Sequence, residues 1–172
     1  LLLVSFYTMR NILRDGGAQD IAALQQLNYT TGSGGYTNST TPSIWPSKGV
    51  ITSPYGTRVD PVTGAASAFH EGVDIADDYG TPIVATAAGT VTFAGYTEGG
   101  YGNLVEIDHG NGFVTRYGHN SAVLVTPGMT VKQGQVIALM GSTGKSTGAH
   151  VHYEVRINGS AVDPMVFLPI SN

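Results

Sequence analysis

"GNLVEIDHGNGFVTRYGH", residues 102–119, contains two alternating apolar runs joined by Asn111-Gly112. Asn-Gly between such runs is a hairpin signal, because the central positions of the tightest strand connections need a positive φ that these two residues tolerate. A second pair, Asn158-Gly159, interrupts "HVHYEVRINGSAV" (150–162) in the same way. "TPIVATAAGTVTFAGY" (81–96) and "TVKQGQVIALMG" (130–141) are further β-rich runs cut by glycine. No helical periodicity of useful length follows Pro46. The expectation for residues 46–172 is a mainly β domain of antiparallel sheet and hairpins.

The composition points the same way. Charged residues make up 12% and glycine contributes 24 of 172 residues, a profile of short strands and tight turns. The length suffices for one domain with a real core. The net charge is −4 and there is no lysine or arginine cluster, which argues against nucleic acid or an anionic membrane surface as the main partner. Without cysteine there is no disulfide, thiolate nucleophile or cysteine-held zinc.

Residues 1–45 read differently. Ile12, Leu13, Ile21, Leu24 and Leu27 stand at helical spacing, broken by Gly16-Gly17, so two short helices are expected. "NYTTGSGGYTNSTTPS" (28–43) has linker composition, and Trp45-Pro46 marks the entry to the β domain. "LLLVSFYTM" (1–9) is apolar but stops at Arg10, short of the about 20 residues a membrane span needs. With Leu1 where a Met would stand, the chain reads as a processed form or fragment. Any export signal or membrane anchor is expected upstream, and membrane contact only through it.

Chemistry concentrates on histidine. In "STGAHVHYEV" (146–155) strand alternation sends His150, His152 and Glu154 to one face, while Val151, Tyr153 and Val155 supply a core face. Glu154 is either a support for a ligand or catalytic imidazole, or an ordinary strand glutamate. In "FHEGVDIA" (69–76), His70 and Asp74 also have an even separation, which puts them on one face of an extended chain. Each pattern alone is weak, but their joint occurrence beside glycine-rich turns, in a chain with five histidines, points to a metal site. Catalytic zinc takes about three protein ligands and keeps a position for water, so His70, Asp74 and one histidine of the pair make a suitable set. His109, before "GNG", is expected on an exposed turn.

The blocks "SPYGTRVDPVTGAASAFHEGVDIA", "GTPIVATAAGTV", "YGNLVEIDHGNGFVTRYGHNS", "GQVIALMGSTGKSTGAHVHYEV" and "NGSAVDP" together resemble the lysostaphin-type (LytM-like) zinc endopeptidases of bacterial cell walls. The resemblance runs from about residue 46 to about 168 and leaves the first 45 residues uncovered. It implies zinc held by His70, Asp74 and His152, with His119 and His150 as the catalytic histidines. No expected position is substituted, which disfavours the degenerate, non-enzymatic members of the family. Arg58 and Asn120, near the motifs, are candidates for substrate contact.

The resemblance further implies an extracytoplasmic hydrolase acting on peptidoglycan stem or cross-bridge peptides. No wall-binding domain follows the β domain, so direct D-amino-acid cross-links are expected rather than glycine bridges. The sequence lacks His-Glu-x-x-His, so histidines near their reference pKa of about 6.5 are the natural proton carriers. "YTEGGYG" (96–102) and "GSTGKSTG" (141–148) are expected to wall a groove for extended peptide. A rival reading is a regulatory or scaffold module, with the peptidase silenced or recruited through residues 1–45. Residues 80–95 and 127–141 also look like the hairpins of lipoyl or biotinyl carriers. Lys132, however, lies outside a hairpin tip and the histidines would have no purpose.

Overall fold

The computed structural model describes residues 36–60, 62–65 and 68–170; the two helices expected within residues 1–27 lie outside them. The regular structure of the described chain is almost entirely strand. In order it forms β1 (Val50–Ser53), β2 (Gly56–Arg58), β3 (Ala68–His70), β4 (Val73–Ala76), β5 (Pro82–Val84), β6 (Gly89–Thr97) and β7 (Gly102–Gly110). There follow β8 (Phe113–Asn120), β9 (Ala122–Val123), β10 (Thr130–Val131), β11 (Val136–Leu139), β12 (His150–Ile157) and β13 (Ser160–Val162). Among the described residues no helix is long and apolar enough to cross a membrane.

Both Asn-Gly signals make the hairpins expected of them. Asn111 and Gly112 connect β7 to β8 with φ of 52° and 80°, and Asn158 and Gly159 connect β12 to β13 with 49° and 85°. The large antiparallel sheet runs β1-β4-β12-β8-β7-β6-β10, with β13 paired to β12. A three-stranded sheet, β5-β11-β9, shares one apolar core with it, and β2-β3 form a separate pair. Val151, Tyr153 and Val155 are fully buried in that core, as alternation along β12 requires.

One expectation is corrected here. His109 lies on β7 rather than an exposed turn, and only 4% of its surface is accessible. It is in phase with Val105 and Ile107, so the same alternation that buries them turns the imidazole inward. Its Nδ1–H donates to the Ala88 carbonyl at 2.8 Å, and Nε2 is 2.7 Å from Thr115 Oγ1. From Thr115 the buried hydrogen-bond chain continues through Tyr117 and Thr86 to Tyr153. Burial therefore keeps the imidazole below its ordinary pKa.

The Thr/Ser-rich stretch before Trp45 also does more than connect. From Thr37 onward its backbone and hydroxyls bond Gln133, Ala88 and Thr86 of the β domain. Its polar groups bond the segments that connect β5 to β6 and β10 to β11.

Candidate metal centre and groove

Three neighbouring strands set the centre. On β12, His152 stands opposite Asp74 of β4 on one side and Gly118 of β8 on the other. Gly118 contributes no side chain over the imidazole. His70 arrives from the end of β3, in the separate two-stranded sheet, across a bend at Glu71-Gly72. His70 and Asp74 thus converge through a bend between two strands, not by alternation along one. The bend needs glycine, since a Cβ at Gly72 would lie 2.3 Å from the Tyr153 carbonyl oxygen.

The result is a buried triangle of donor atoms. His70 Nε2, Asp74 Oδ1 and His152 Nδ1 lie 2.9–3.0 Å from one another. Each imidazole is fixed from behind. His70 donates Nδ1–H to the Pro54 carbonyl at 2.7 Å, and His152 donates Nε2–H to Glu154 Oε1 at 2.9 Å. Acceptors on the outward nitrogens are what orient histidines that ligate a metal through the other nitrogen. Two imidazoles and a carboxylate with a free approach form a donor set suited to a borderline divalent cation. These residues can therefore hold a metal ion.

Glu154 belongs to this arrangement and is 1% exposed. Tyr101 Oη and Arg156 Nη1 each donate to it at 2.5 Å. Burial would raise its pKa, but His152, Tyr101 and Arg156 together bring it down to about 2. Burial likewise opposes a charged His152, yet Asp74 against one nitrogen and Glu154 against the other raise it to about 9. Asp74, despite its burial, is held well below the usual carboxylate range by His152 and His70. Tyr101 was not singled out from sequence; it comes from a loop and nothing local marks it. Arg156 has a local signal, since it follows Glu154 at i+2 on the same face.

His119 and His150 stand side by side beyond the triangle, ring centroids 4.6 Å apart. His119 shares parity with Thr115 and Tyr117, whose side chains enter the core. A left-handed backbone, φ 65°, turns it to the opposite side. Tyr101 and Thr143 hold it there: its backbone N–H donates to the Tyr101 carbonyl and its Nδ1–H to the Thr143 carbonyl, both at 2.7 Å. Burial and the neighbouring His150 lower its pKa to about 4. His150 donates Nδ1–H to the Gly148 carbonyl at 2.8 Å, and its Nε2 is 3.7 Å from Asp74 Oδ1. Backbone carbonyls thus occupy Nδ1 on both rings and leave Nε2 facing the centre.

Two cavities of about 310 and 270 Å³ flank these groups and share Arg58, His119 and Lys145. Residues of both expected walls line them: Gly99, Gly100 and Tyr101 on one side, Lys145, Ser146 and Thr147 on the other. Arg58 is in the groove, with Nη1 3.0 Å from Ser53 Oγ and 3.4 Å from Asp74 Oδ2. Asn120 is not. Its amide is fully buried and donates to the Tyr117 and Asn103 carbonyls, a brace for the end of β8.

The profile of peptidase family M23 matches residues 68–164. A DD-carboxypeptidase/endopeptidase of Neisseria meningitidis is 49% identical over 120 residues, 69% of this chain and 27% of that protein. A murein hydrolase activator of Escherichia coli is 40% identical over 125 residues, 73% of this chain and 31% of that protein. This chain therefore spans about a quarter to a third of the length of these relatives. Among solved structures, the catalytic domain of the antimicrobial peptidase lysostaphin from Staphylococcus simulans superposes with a TM-score of 0.63 at 34% identity, covering 69% of this chain and 90% of that one. The family match takes in His70, Asp74, His119, His150 and His152 together, and by it this chain is a member of peptidase family M23.

Proposed function

We propose that the chain is a zinc endopeptidase of the bacterial cell envelope, acting outside the cytoplasm on the peptide cross-links of peptidoglycan. Direct D-amino-acid cross-links are the substrate in this reading, in keeping with the name of the Neisseria relative, a DD-carboxypeptidase/endopeptidase. The observation that carries it is the donor triangle with both imidazoles anchored from behind, and two further histidines aimed at it.

His70 Nε2, Asp74 Oδ1 and His152 Nδ1 would hold the ion. Bound there, zinc supplies an acidified water and a Lewis acid for the scissile carbonyl. The other steps fall to side chains. Nε2 of one of His119 and His150 takes the proton from water; the other, carrying a proton on both ring nitrogens, donates its Nε2–H to the carbonyl oxygen as negative charge develops. The proton taken is then available to the leaving amine. Glu154, Tyr101 and Arg156 keep the His152 ring in one tautomer, and the Thr143 and Gly148 carbonyls do the same for the catalytic pair.

The test is release of free amines from purified peptidoglycan, with mass spectrometry of the fragments and elemental analysis of the protein. Chelation should abolish release and zinc restore it. His119→Ala and His150→Ala should each lose at least about 100-fold in turnover while keeping zinc. His70→Ala, Asp74→Ala and His152→Ala should lose the metal. Undiminished turnover in both His119→Ala and His150→Ala would refute the assignment.

The name of the Escherichia coli relative favours a second reading, a module that activates other wall hydrolases, with residues 1–45 as an inhibitory or recruiting arm. Absence of zinc and of amine release, with and without residues 1–35, would support it.

A further inference from the structure

We infer that Arg58 is a specificity determinant that reads a free carboxylate on the residue contributing the scissile nitrogen. This inference rests on the peptidase reading above and names the substrate feature selected by the same groove.

Arg58 lines both cavities that flank the donor triangle. Only its Nη1 is engaged, by Ser53 Oγ and Asp74 Oδ2; Nε and Nη2 have no partner among the described residues. The other cations nearby are committed: Lys145 to Asp60, Arg156 to Glu154 and Glu71, Arg116 to Glu106. Arg58 thus lies beside the centre with one edge of its fork, Nε and Nη2, left for a ligand. The side chain is about one quarter exposed, 26%, so its charge is only partly solvated. Guanidinium donors in a fixed fork match a carboxylate better than any neutral group.

Position narrows the partner. Nη1 sits 3.4 Å from the second oxygen of a triangle carboxylate, so Arg58 is one group removed from the point where the scissile carbonyl must lie. In a peptide, a carboxylate on the carbon bearing the scissile nitrogen is separated from the carbonyl carbon by three bonds of about 1.3–1.5 Å each. A carboxylate so placed comes within reach of Arg58 with the carbonyl at the triangle. A C-terminal D-alanine has such a group. So does a direct cross-link to a diamino acid acylated on the amine next to its own free carboxylate. An internal glycine–glycine bond lacks it.

The experiment compares kcat/KM of the zinc-loaded chain on an N-acyl-D-alanyl-D-alanine and on its C-terminal amide, with a cross-linked stem-peptide dimer as reference. The acid should be preferred about 10- to 100-fold, the range a charge-assisted pair contributes. Arg58→Gln should bring the acid-to-amide ratio close to one, with zinc content measured alongside, and Arg58→Lys should keep part of the preference. A wild-type ratio near one overturns the role of Arg58, whatever the variants do. So does an Arg58→Gln enzyme that loses activity on both substrates equally, since that is the mark of a residue that only positions Asp74. Failure of the wild-type chain to cleave the dimer and both dipeptides overturns the peptidase reading instead.

Discussion

At the scale of single residues, imidazoles in this chain do three separate jobs, and their second nitrogens tell them apart. His70 and His152 are tied from behind and present the other nitrogen to a carboxylate; His119 and His150 are tied by carbonyls and present Nε2 to the groove. His109 has both nitrogens satisfied inside the core. Its stability effect has a defined sign. In the fold its pKa lies below the unfolded value of about 6.5, chiefly because burial disfavours the cation. Below pH 6.5 the unfolded chain binds more protons, so this contribution is complete above pH 6.5 and is lost as pH falls toward the folded pKa. Thermal midpoints of the wild type should therefore fall more steeply between pH 7 and 5 than those of His109→Gln. Parallel slopes would refute this. His109 was legible from its phase with Val105 and Ile107, and the turn signal beside it obscured that.

At the scale of elements, the decisive join is the bend between β3 and β4. Gly72 lets the β3–β4 corner lie against β12, and a methyl there meets the Tyr153 carbonyl at 2.3 Å. Gly72→Ala should cost about 1–3 kcal/mol, as forced overpacking does. It should also weaken zinc binding at least tenfold, because the bend carries His70 into the triangle. Urea titration and a zinc competition assay would measure the two effects. Unchanged zinc affinity in a folded variant would show that His70 is positioned by other means. The β7–β8 and β12–β13 hairpins, by contrast, follow from Asn-Gly chemistry alone, because a two-residue turn needs nothing from the rest of the chain. His119 shows the opposite case. Its strand parity points to the core, and loop residues hold it on the other side: the Tyr101 carbonyl takes its backbone N–H and the Thr143 carbonyl its ring Nδ1–H.

At the scale of the whole molecule, the donor triangle joins a two-stranded sheet to the main sheet, since His70 belongs to the first and Asp74 and His152 to the second. An ion there would cross-link two separately hydrogen-bonded units. At free zinc about 1,000 times its dissociation constant, this adds about 4 kcal/mol of stability. The midpoint of thermal unfolding should then rise by about 10 °C or more over the chelated protein. Calorimetry with and without chelator checks this, and a midpoint indifferent to zinc would exclude tight binding to the native state. Strand periodicity, the Asn-Gly turns and the common face of His150, His152 and Glu154 were determined by sequence alone, for they depend on neighbours one to three residues away. The triangle closes between side chains 78 and 82 residues apart. Its existence, the redirection of His119 and the placement of Arg58 beside Asp74 were decided by tertiary structure. They depend on strand register and on close backbone approach, which no local pattern encodes.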